Sequence, residues 1–86
     1  MNVTEQVLRV LDEALSLQGR AQAFDRETPL LGALPELDSM AVLALITGLE
    51  NHFGVAFSDD DLNGTVFATV GSVSDLVQQA LADQGA

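Results

Sequence analysis

The chain has no cysteine, which excludes disulfide bonds, thiolate metal sites and a cysteine nucleophile. Any thiol chemistry must therefore come from an added group. Tryptophan and tyrosine are also absent, and four phenylalanines are the only large aromatic residues. The core must be built mainly from Leu, Val, Ile and Ala, which favours a small helical bundle.

Basic residues are scarce, because three arginines stand against 13 acidic residues and give a formal net charge of −10. Nucleic acid and anionic membrane surfaces repel such a chain, so we expect neither as a partner. Basic protein surfaces would attract it.

Long hydrophobic runs are absent as well. The longest, residues 40–46, has seven residues, whereas a helix that spans a bilayer needs about 20. The first residues also lack the positive start and apolar block of a signal peptide. We therefore expect a cytoplasmic protein with no stable membrane insertion.

Helix caps and apolar periodicity predict an all-α fold, a small four-helix bundle with three long helices and one short one, in a single domain of residues 1–86. Asn2, Ser58 and Ser72 are each followed three residues later by an acidic residue, which is the pattern of a capping box at a helix start. The predicted helices span residues 3–17, 39–53, 59–63 and 73–84.

Between the first two helices, residues 18–37 show no sustained period and contain both prolines, so we expect a long ordered loop. Apolar side chains within the loop should fix it against the core. The candidates are Phe24, Leu30, Leu31, Leu34 and Leu37.

The second helix is predicted to begin at Ser39, because Pro35 resists inclusion in a helix interior and Asp38 is a good N-cap residue. A serine in the first turn is held at the surface, where backbone N–H groups and the positive end of the helix dipole favour a phosphate. The predicted buried face consists of Val42, Ile46, Leu49 and Phe53, widened by Leu43 and Leu45.

The residues Leu37-Asp38-Ser39-Met40 resemble the Asp-Ser-Leu signature of acyl carrier proteins, and the likeness in helix order and loop position extends over residues 3–83. The resemblance implies a 4′-phosphopantetheine arm, derived from coenzyme A, attached covalently to Ser39. It also implies that Asp38 helps the modifying synthase to hold a divalent metal. The implied partners are a phosphopantetheinyl transferase and acyl ligases, acyltransferases or synthases.

By this resemblance the protein is expected to be a monomer that catalyses nothing itself. It would hold acyl groups as thioesters for enzymes of fatty-acid, polyketide or other specialised acyl metabolism. Residues 31–40 are also similar to dedicated bacterial carriers associated with exosortase and exopolysaccharide gene clusters. Two alternatives stay open: a peptidyl or aminoacyl carrier, and an unmodified helical interaction module of the same fold.

The chain departs from the family's pattern on and beside the second helix. Family members present several acidic residues there, whereas Glu50 is the lone carboxylate of this helix; Met40 stands where leucine is usual, and Glu36 where glycine is frequent. We therefore expect docking on this helix to be more apolar than in general fatty-acid carriers, or the choice of partner to be different. The residues predicted to contact partners are Met40, Ala41, Val42, Ala44, Glu50, Asp59, Asp60 and Asp61.

Residues 59–64 match the opening half of an EF-hand calcium loop, but the twelfth position is Val70, which cannot chelate. A helix starting at Val70-Gly71 is not expected, so we interpret these acids as first-turn charges favoured by the helix dipole. His52, the sole histidine, has no evident second ligand or paired nucleophile. We predict neither a metal site nor catalytic residues.

Overall fold

Three α-helices form the framework of the computed structural model, which describes residues 2–85. They are α1 (Val3–Leu15), α2 (Ser39–Phe53) and α3 (Val70–Gly85). Two single 3₁₀ turns, Arg20–Ala23 and Asp59–Asp61, lie in the connections. The part of the chain that is described contains no strand, so the predicted all-α class is confirmed.

The predicted count of four helices is wrong, because the short helix expected at 59–63 is only the 3₁₀ turn Asp59–Asp61. The turn is closed by one backbone hydrogen bond, from Asp61 N to Ser58 O at 3.0 Å. The Ser58 backbone N–H and hydroxyl both donate to Asp61 Oδ2, at 3.3 and 2.8 Å. Ser58 and Asp61, predicted to form a capping box for a helix, therefore close only a turn of three residues.

α1 begins where the sequence predicts. Asn2 is the N-cap residue, and its side-chain oxygen accepts a hydrogen bond from the backbone N–H of Glu5 at 2.8 Å. The helix ends at Leu15, two residues before the predicted end, because Ser16 adopts a left-handed conformation with φ 54°. α1 contributes four side chains to the core: Val7, Val10, Leu11 and Leu15.

The long loop is held at its start by one carboxylate of α1. Asp12 accepts hydrogen bonds from the backbone N–H groups of Gly19 at 2.9 Å and of Ala21 at 3.2 Å. Among the predicted anchors of the loop, Leu30 and Leu37 are buried, and Phe24 and Leu34 are half-buried against the core.

Leu31 does not anchor the loop as predicted, because 43% of it is exposed. The backbone N–H groups of Leu30 and Leu31 donate to the carbonyls of Ala68 and Phe67, at 2.8 and 3.0 Å. Leu31 opens the turn of residues 31–33, which is closed by hydrogen bonds from Ala33 N and Leu34 N to Leu30 O, at 3.0 and 2.9 Å. Leu30 enters the core, whereas Leu31 lies in this turn and faces solvent.

The start of α3 is capped by the loop and by Thr69, whose N–H donates to Ser72 Oγ at 3.1 Å, rather than by the predicted box. The Val70 and Gly71 N–H groups donate to the carbonyls of Thr28 and Arg26, at 3.0 and 2.8 Å. Ser72 N donates to Thr69 Oγ1 at 3.1 Å. The predicted start at Ser72 and Asp75 is therefore wrong, and α3 begins directly at Val70.

A glycine is required at position 71 by this arrangement. A Cβ atom placed there would lie 2.9 Å from the carbonyl oxygen of Arg26, closer than such atoms approach in proteins. The absence of a side chain lets the loop backbone reach the helix. The Arg26 guanidinium also donates to Asp75 Oδ1 at 2.9 Å across the same junction.

The core lies where α1 packs against α2 and α3. Leu45 and Leu49 are the α2 residues that are fully buried, while Val42, Ile46 and Phe53 are only partly buried against the core. On the side facing α1, Gly48 allows close approach, since a Cβ there would lie 3.0 Å from Val10 Cγ1.

Leu43 was predicted to widen the buried face of α2, and this prediction is wrong: 60% of the residue is exposed. At about 100° per residue, the buried centre is turned toward Leu45 and Leu49. Leu43 therefore lies on the opposite, solvent side. None of the helices in residues 2–85 combines the length and hydrophobicity needed to cross a membrane.

Candidate functional site

The turn into α2 holds Ser39 at its first helical position. Asp38, in extended conformation, caps the helix by accepting a hydrogen bond from Ala41 N at 2.8 Å through Oδ1. Asp38 O accepts the first intrahelical bond, from Val42 N at 2.9 Å. Asp38 and Ser39 are both exposed. The predicted position of Ser39, at the surface where the helix begins, is confirmed.

The electrostatic setting at this end of α2 favours an anion. The first-turn N–H groups and the aligned peptide dipoles give a helix start a partial positive charge. No acidic residue occurs in the first turn, and the Asp38 carboxylate is engaged by Ala41 N. A phosphate ester on the Ser39 hydroxyl would thus meet favourable backbone dipoles.

The residues just before Ser39 hold the turn into α2 against the rest of the fold. Leu37 is buried, and its N–H donates to Leu34 O at 3.0 Å. One residue earlier, Glu36 Oε2 accepts a hydrogen bond from the Arg20 guanidinium, which ties this turn to the 3₁₀ turn after α1. A buried anchor and an ion pair therefore flank the exposed serine on its N-terminal side.

The hydrogen bond from Arg20 lowers the pKa of Glu36 below its ordinary value. A carboxylate with a depressed pKa in the folded state stabilises the fold above its unfolded pKa, about 4.3, and loses that contribution as pH falls through the folded value. Stability of the wild type should therefore fall more steeply below about pH 4.3 than stability of Glu36→Gln.

Urea denaturation between neutral and acid pH would measure this difference. Arg20→Gln should give the same shallower acid limb as Glu36→Gln, because each removes one half of the pair. Glu13→Gln, which replaces an exposed glutamate of α1, is the matched control and should keep the wild-type profile. Parallel curves for wild type and Glu36→Gln would contradict the assignment.

The structure separates the residues predicted to contact partners into two places. Met40 and Ala44 are exposed on α2, and Ala41 and Val42 are half-buried beside them. The others lie at the opposite end of the helix, with Glu50 in its last turn and the three aspartates after it. Asp60 and Asp61 are exposed, Asp61 is engaged by Ser58, and the side chain of Asp59 lies outside the described part.

Glu50 belongs to the framework as well as to the surface. Its Oε2 accepts a hydrogen bond from Phe57 N at 3.0 Å, and the residue is half-buried. This bond closes the connection that follows α2. The lone carboxylate of the helix is thereby held away from Ser39, at the last turn.

Leu43 is the exposed residue near Ser39 that the sequence analysis misplaced. It lies one turn beyond Met40 on the same side of α2. Met40 and Leu43 are 75% and 60% exposed, the largest values among the exposed large hydrophobic residues described. The sequence signal was the length of the apolar run 40–46, which exceeds what one buried face requires.

Acidic residues do not converge into a metal centre in the described residues, where no group of three His, Asp or Glu side chains has the necessary geometry. The expectation that no helix starts at Val70 was wrong, although Val70 itself still offers no ligand. His52 contacts Gln6 of α1, with Nε2 3.1 Å from Oε1, and its ring meets the Phe53 ring edge-on.

Comparison with known families matches residues 5–78 to the family described as phosphopantetheine attachment site. The chain belongs to this family of acyl carrier proteins. Among curated proteins, no sequence matches it significantly.

Two solved structures share the carrier's fold. The solution NMR structure of a holo acyl carrier protein from Nitrosomonas europaea is 38% identical, covers 95% of this chain and 99% of its own, and superimposes with a TM-score of 0.89. A holo acyl carrier protein from Geobacter metallireducens is 24% identical over 98% of this chain and 91% of its own, with a TM-score of 0.79. The second likeness concerns the fold alone.

Family membership gives the carrier 4′-phosphopantetheine as its prosthetic group. The group supplies a terminal thiol, which this cysteine-free chain cannot provide. The residues present fit the group, since a serine hydroxyl stands exposed at a capped helix start, where the helix dipole favours a phosphate.

Proposed function

We propose that the protein carries acyl groups as thioesters on a 4′-phosphopantetheine arm esterified to Ser39. The observation that supports this assignment is the exposure of Ser39 at the first residue of α2, with the helix capped independently by Asp38. The hydroxyl is therefore free to be modified without loss of the cap. The protein presents the arm and leaves the chemistry to other enzymes.

The other four serines are poorer attachment sites. Ser74 is fully buried and donates to Val70 O at 2.9 Å, and Ser72 is half-buried and donates to Val66 O at 2.6 Å. Ser58 is exposed, but its hydroxyl is held by Asp61. Ser16 is exposed at the end of α1, where the helix dipole is negative and disfavours a phosphate.

The proposed partners are a phosphopantetheinyl transferase, which installs the arm, and acyl ligases, acyltransferases or synthases, which load and use it. The chain acts as a monomeric single domain in fatty-acid, polyketide or other specialised acyl metabolism. The exposed apolar residues of α2 and the net charge of −10 supply two different means of recognition. The charge accelerates encounter with basic enzyme surfaces.

The test is co-expression with phosphopantetheinyl transferases, followed by intact-mass measurement and peptide mapping. We expect one 4′-phosphopantetheine group per chain, located on the peptide that contains Ser39. A wild-type protein that stays unmodified with several transferases would favour an unmodified interaction module of the same fold. An adduct on another serine would refute the assigned site.

The two roles proposed for Asp38 can be separated by two substitutions. Asp38→Ala removes the bond to Ala41 N, so the free energy of unfolding should fall by about 0.5–2 kcal/mol. Asp38→Asn retains an equally good N-cap and should cost little stability. If the carboxylate also holds a divalent metal for the transferase, Asp38→Asn should nevertheless be loaded much more slowly than wild type.

Urea denaturation and initial loading rates with coenzyme A measure the two effects. Equal loading of wild type and Asp38→Asn would show that Asp38 is only a cap. An Asp38→Ala protein with the same free energy of unfolding as wild type would show that the bond to Ala41 contributes little to the start of α2.

A further inference from the structure

The segment of residues 32–37, which leads into α2, is joined to the rest of the fold by one polar contact. Its backbone hydrogen bonds are local and join it to itself or to Leu30. The ion pair between Glu36 and Arg20 is the one hydrogen-bonded link from this segment to any other element that the structure describes. Burial of Leu37 also holds the segment, but apolar packing is not directional. The direction in which the segment enters α2 therefore depends on Arg20.

Arg20 reaches Glu36 from a fixed base. Its Nε donates to Leu17 O at 3.2 Å, and Leu17 is fully buried. The Asp12 carboxylate of α1 accepts hydrogen bonds from the backbone N–H groups on either side of Arg20, at 2.9 and 3.2 Å. A continuous set of contacts therefore runs from α1, through the guanidinium, to the turn that precedes Ser39.

The Glu36 carboxylate requires this arginine. Glu36 is half-buried, and its second oxygen, Oε1, is excluded from solvent and accepts no hydrogen bond within the described residues. A carboxylate that has lost part of its hydration is stabilised by a neighbouring cation. Without Arg20, the carboxylate would regain water by moving outward, and the backbone of residues 32–37 would move with it.

We infer that Arg20 and Glu36 are positioning residues for the modification of Ser39, because their ion pair orders the turn from which the serine is presented. This inference rests on the proposed function of Ser39. Glu36 lies three residues before Ser39, and only the buried Leu37 and the capping Asp38 stand between them. A chain without the pair orders this turn only when it binds the enzyme. Its apparent affinity is then reduced by the fraction of chains in the ordered state.

Loading by a phosphopantetheinyl transferase with coenzyme A tests the inference in two neutral variants. We expect kcat/KM for Glu36→Gln to fall about three- to fivefold. The loss should appear in KM, with kcat unchanged, because the bound enzyme orders the turn. Arg20→Gln should lose more, since it leaves a partly desolvated carboxylate without its cation.

Two matched controls remove the same charges elsewhere. Glu27→Gln replaces an exposed glutamate of the same loop, and Arg9→Gln replaces an exposed arginine of α1. Neither side chain forms an ion pair with another described residue. Both variants should be loaded like wild type.

Reversal of the two charges separates positioning from direct contact with the enzyme. Arg20→Glu and Glu36→Arg each set like charges against each other, so both should be loaded more slowly than the neutral variants. The double variant Arg20→Glu/Glu36→Arg restores an opposite pair and the net charge of wild type. It should be loaded faster than either single reversal, because the two losses are coupled.

Amide hydrogen exchange measures the order of the turn itself. The Leu37 N–H, which donates to Leu34 O at 3.0 Å, should exchange faster in Arg20→Gln and Glu36→Gln than in wild type. Amides in the middle of α1 and α3 should keep their wild-type rates, because the opening is local.

Four results would overturn the inference. Wild-type loading of Arg20→Gln and Glu36→Gln would restrict the pair to the stability of the fold. Slow loading with unchanged exchange at Leu37 would show that the side chains contact the enzyme directly, and so would a double reversal slower than both single reversals. Faster exchange throughout α1 and α3 would show a global loss of stability. Failure of the proposed function is separate, because wild type itself would then not be loaded.

Discussion

Replacing Ser39 by alanine is expected to abolish attachment of 4′-phosphopantetheine completely while leaving the fold intact. The ester requires the hydroxyl oxygen, and alanine has none. The helix start does not depend on that oxygen, because Asp38 Oδ1 caps Ala41 N at 2.8 Å and Asp38 O accepts from Val42 N at 2.9 Å. Alanine is also the best helix former.

Intact mass after incubation with a phosphopantetheinyl transferase and coenzyme A measures attachment, and circular dichroism with thermal melting measures the fold. Ser58→Ala is the matched control, because Ser58 is also exposed and precedes a helical turn. It should be loaded as fully as wild type. Modification of the Ser39→Ala protein would show that the arm is attached to another residue. If Ser39→Ala does not fold, the same measurement is made on Ser39→Cys.

Replacing Leu49 by alanine is expected to lower the free energy of unfolding by about 2–5 kcal/mol. Leu49 is fully buried, so truncation removes apolar contacts and leaves a cavity between α2 and the helices it packs on. Phe53 was predicted to be an equal part of this face, but it is only half-buried. Phe53→Ala should therefore cost less than its size suggests.

Leu43→Ala is a closely matched control, because it makes the same substitution in the same helix. Leu43 is 60% exposed, so the free energy of unfolding should change by no more than about 0.5 kcal/mol. Urea denaturation followed by circular dichroism compares the two variants. Similar losses at both positions would mean that the buried side of α2 has been assigned to the wrong residues.

Local chemistry made much of this architecture predictable. The starts of α1 and α2 are fixed by Asn2 and Asp38, whose side chains bond N–H groups three residues later. Such caps lie within one short stretch of sequence and can be seen there. The exposed serine at the start of α2 follows from the same reasoning, and so does the turn at Gly54, which has φ 68°.

Contacts between distant residues were not predictable in this way. α3 begins at Val70 because the carbonyls of Arg26 and Thr28 satisfy its first N–H groups, and these residues lie more than forty positions away. Ser72 and Asp75 resemble a capping box, yet the loop carbonyls and the reciprocal hydrogen bonds between Thr69 and Ser72 provide the cap. From the sequence, Glu50 was predicted to be a surface carboxylate. Its hydrogen bond from Phe57 N was not predictable, because it depends on the path of the chain after α2.

Apolar periodicity also did not determine which side of α2 faces the core. The run 40–46 contains apolar residues around most of the helix circumference, so it defines a broad stripe without fixing its centre. Packing against Val10 at Gly48 turns Leu45 and Leu49 inward and leaves Leu43 outside. Sequence reasoning therefore placed Leu43, one of the most exposed apolar residues described, in the core.

The bonds from Val70 and Gly71 to the loop carbonyls have a consequence for cooperativity. The amide hydrogens of Val70 and Gly71 are satisfied only when residues 26–28 are in place, and these residues lie in the loop that ends at Ser39. Loop and terminal helix therefore order together, as one unit of local stability. Fraying at the start of α3 would loosen the loop that leads to Ser39, and a defect in that loop would loosen the start of α3.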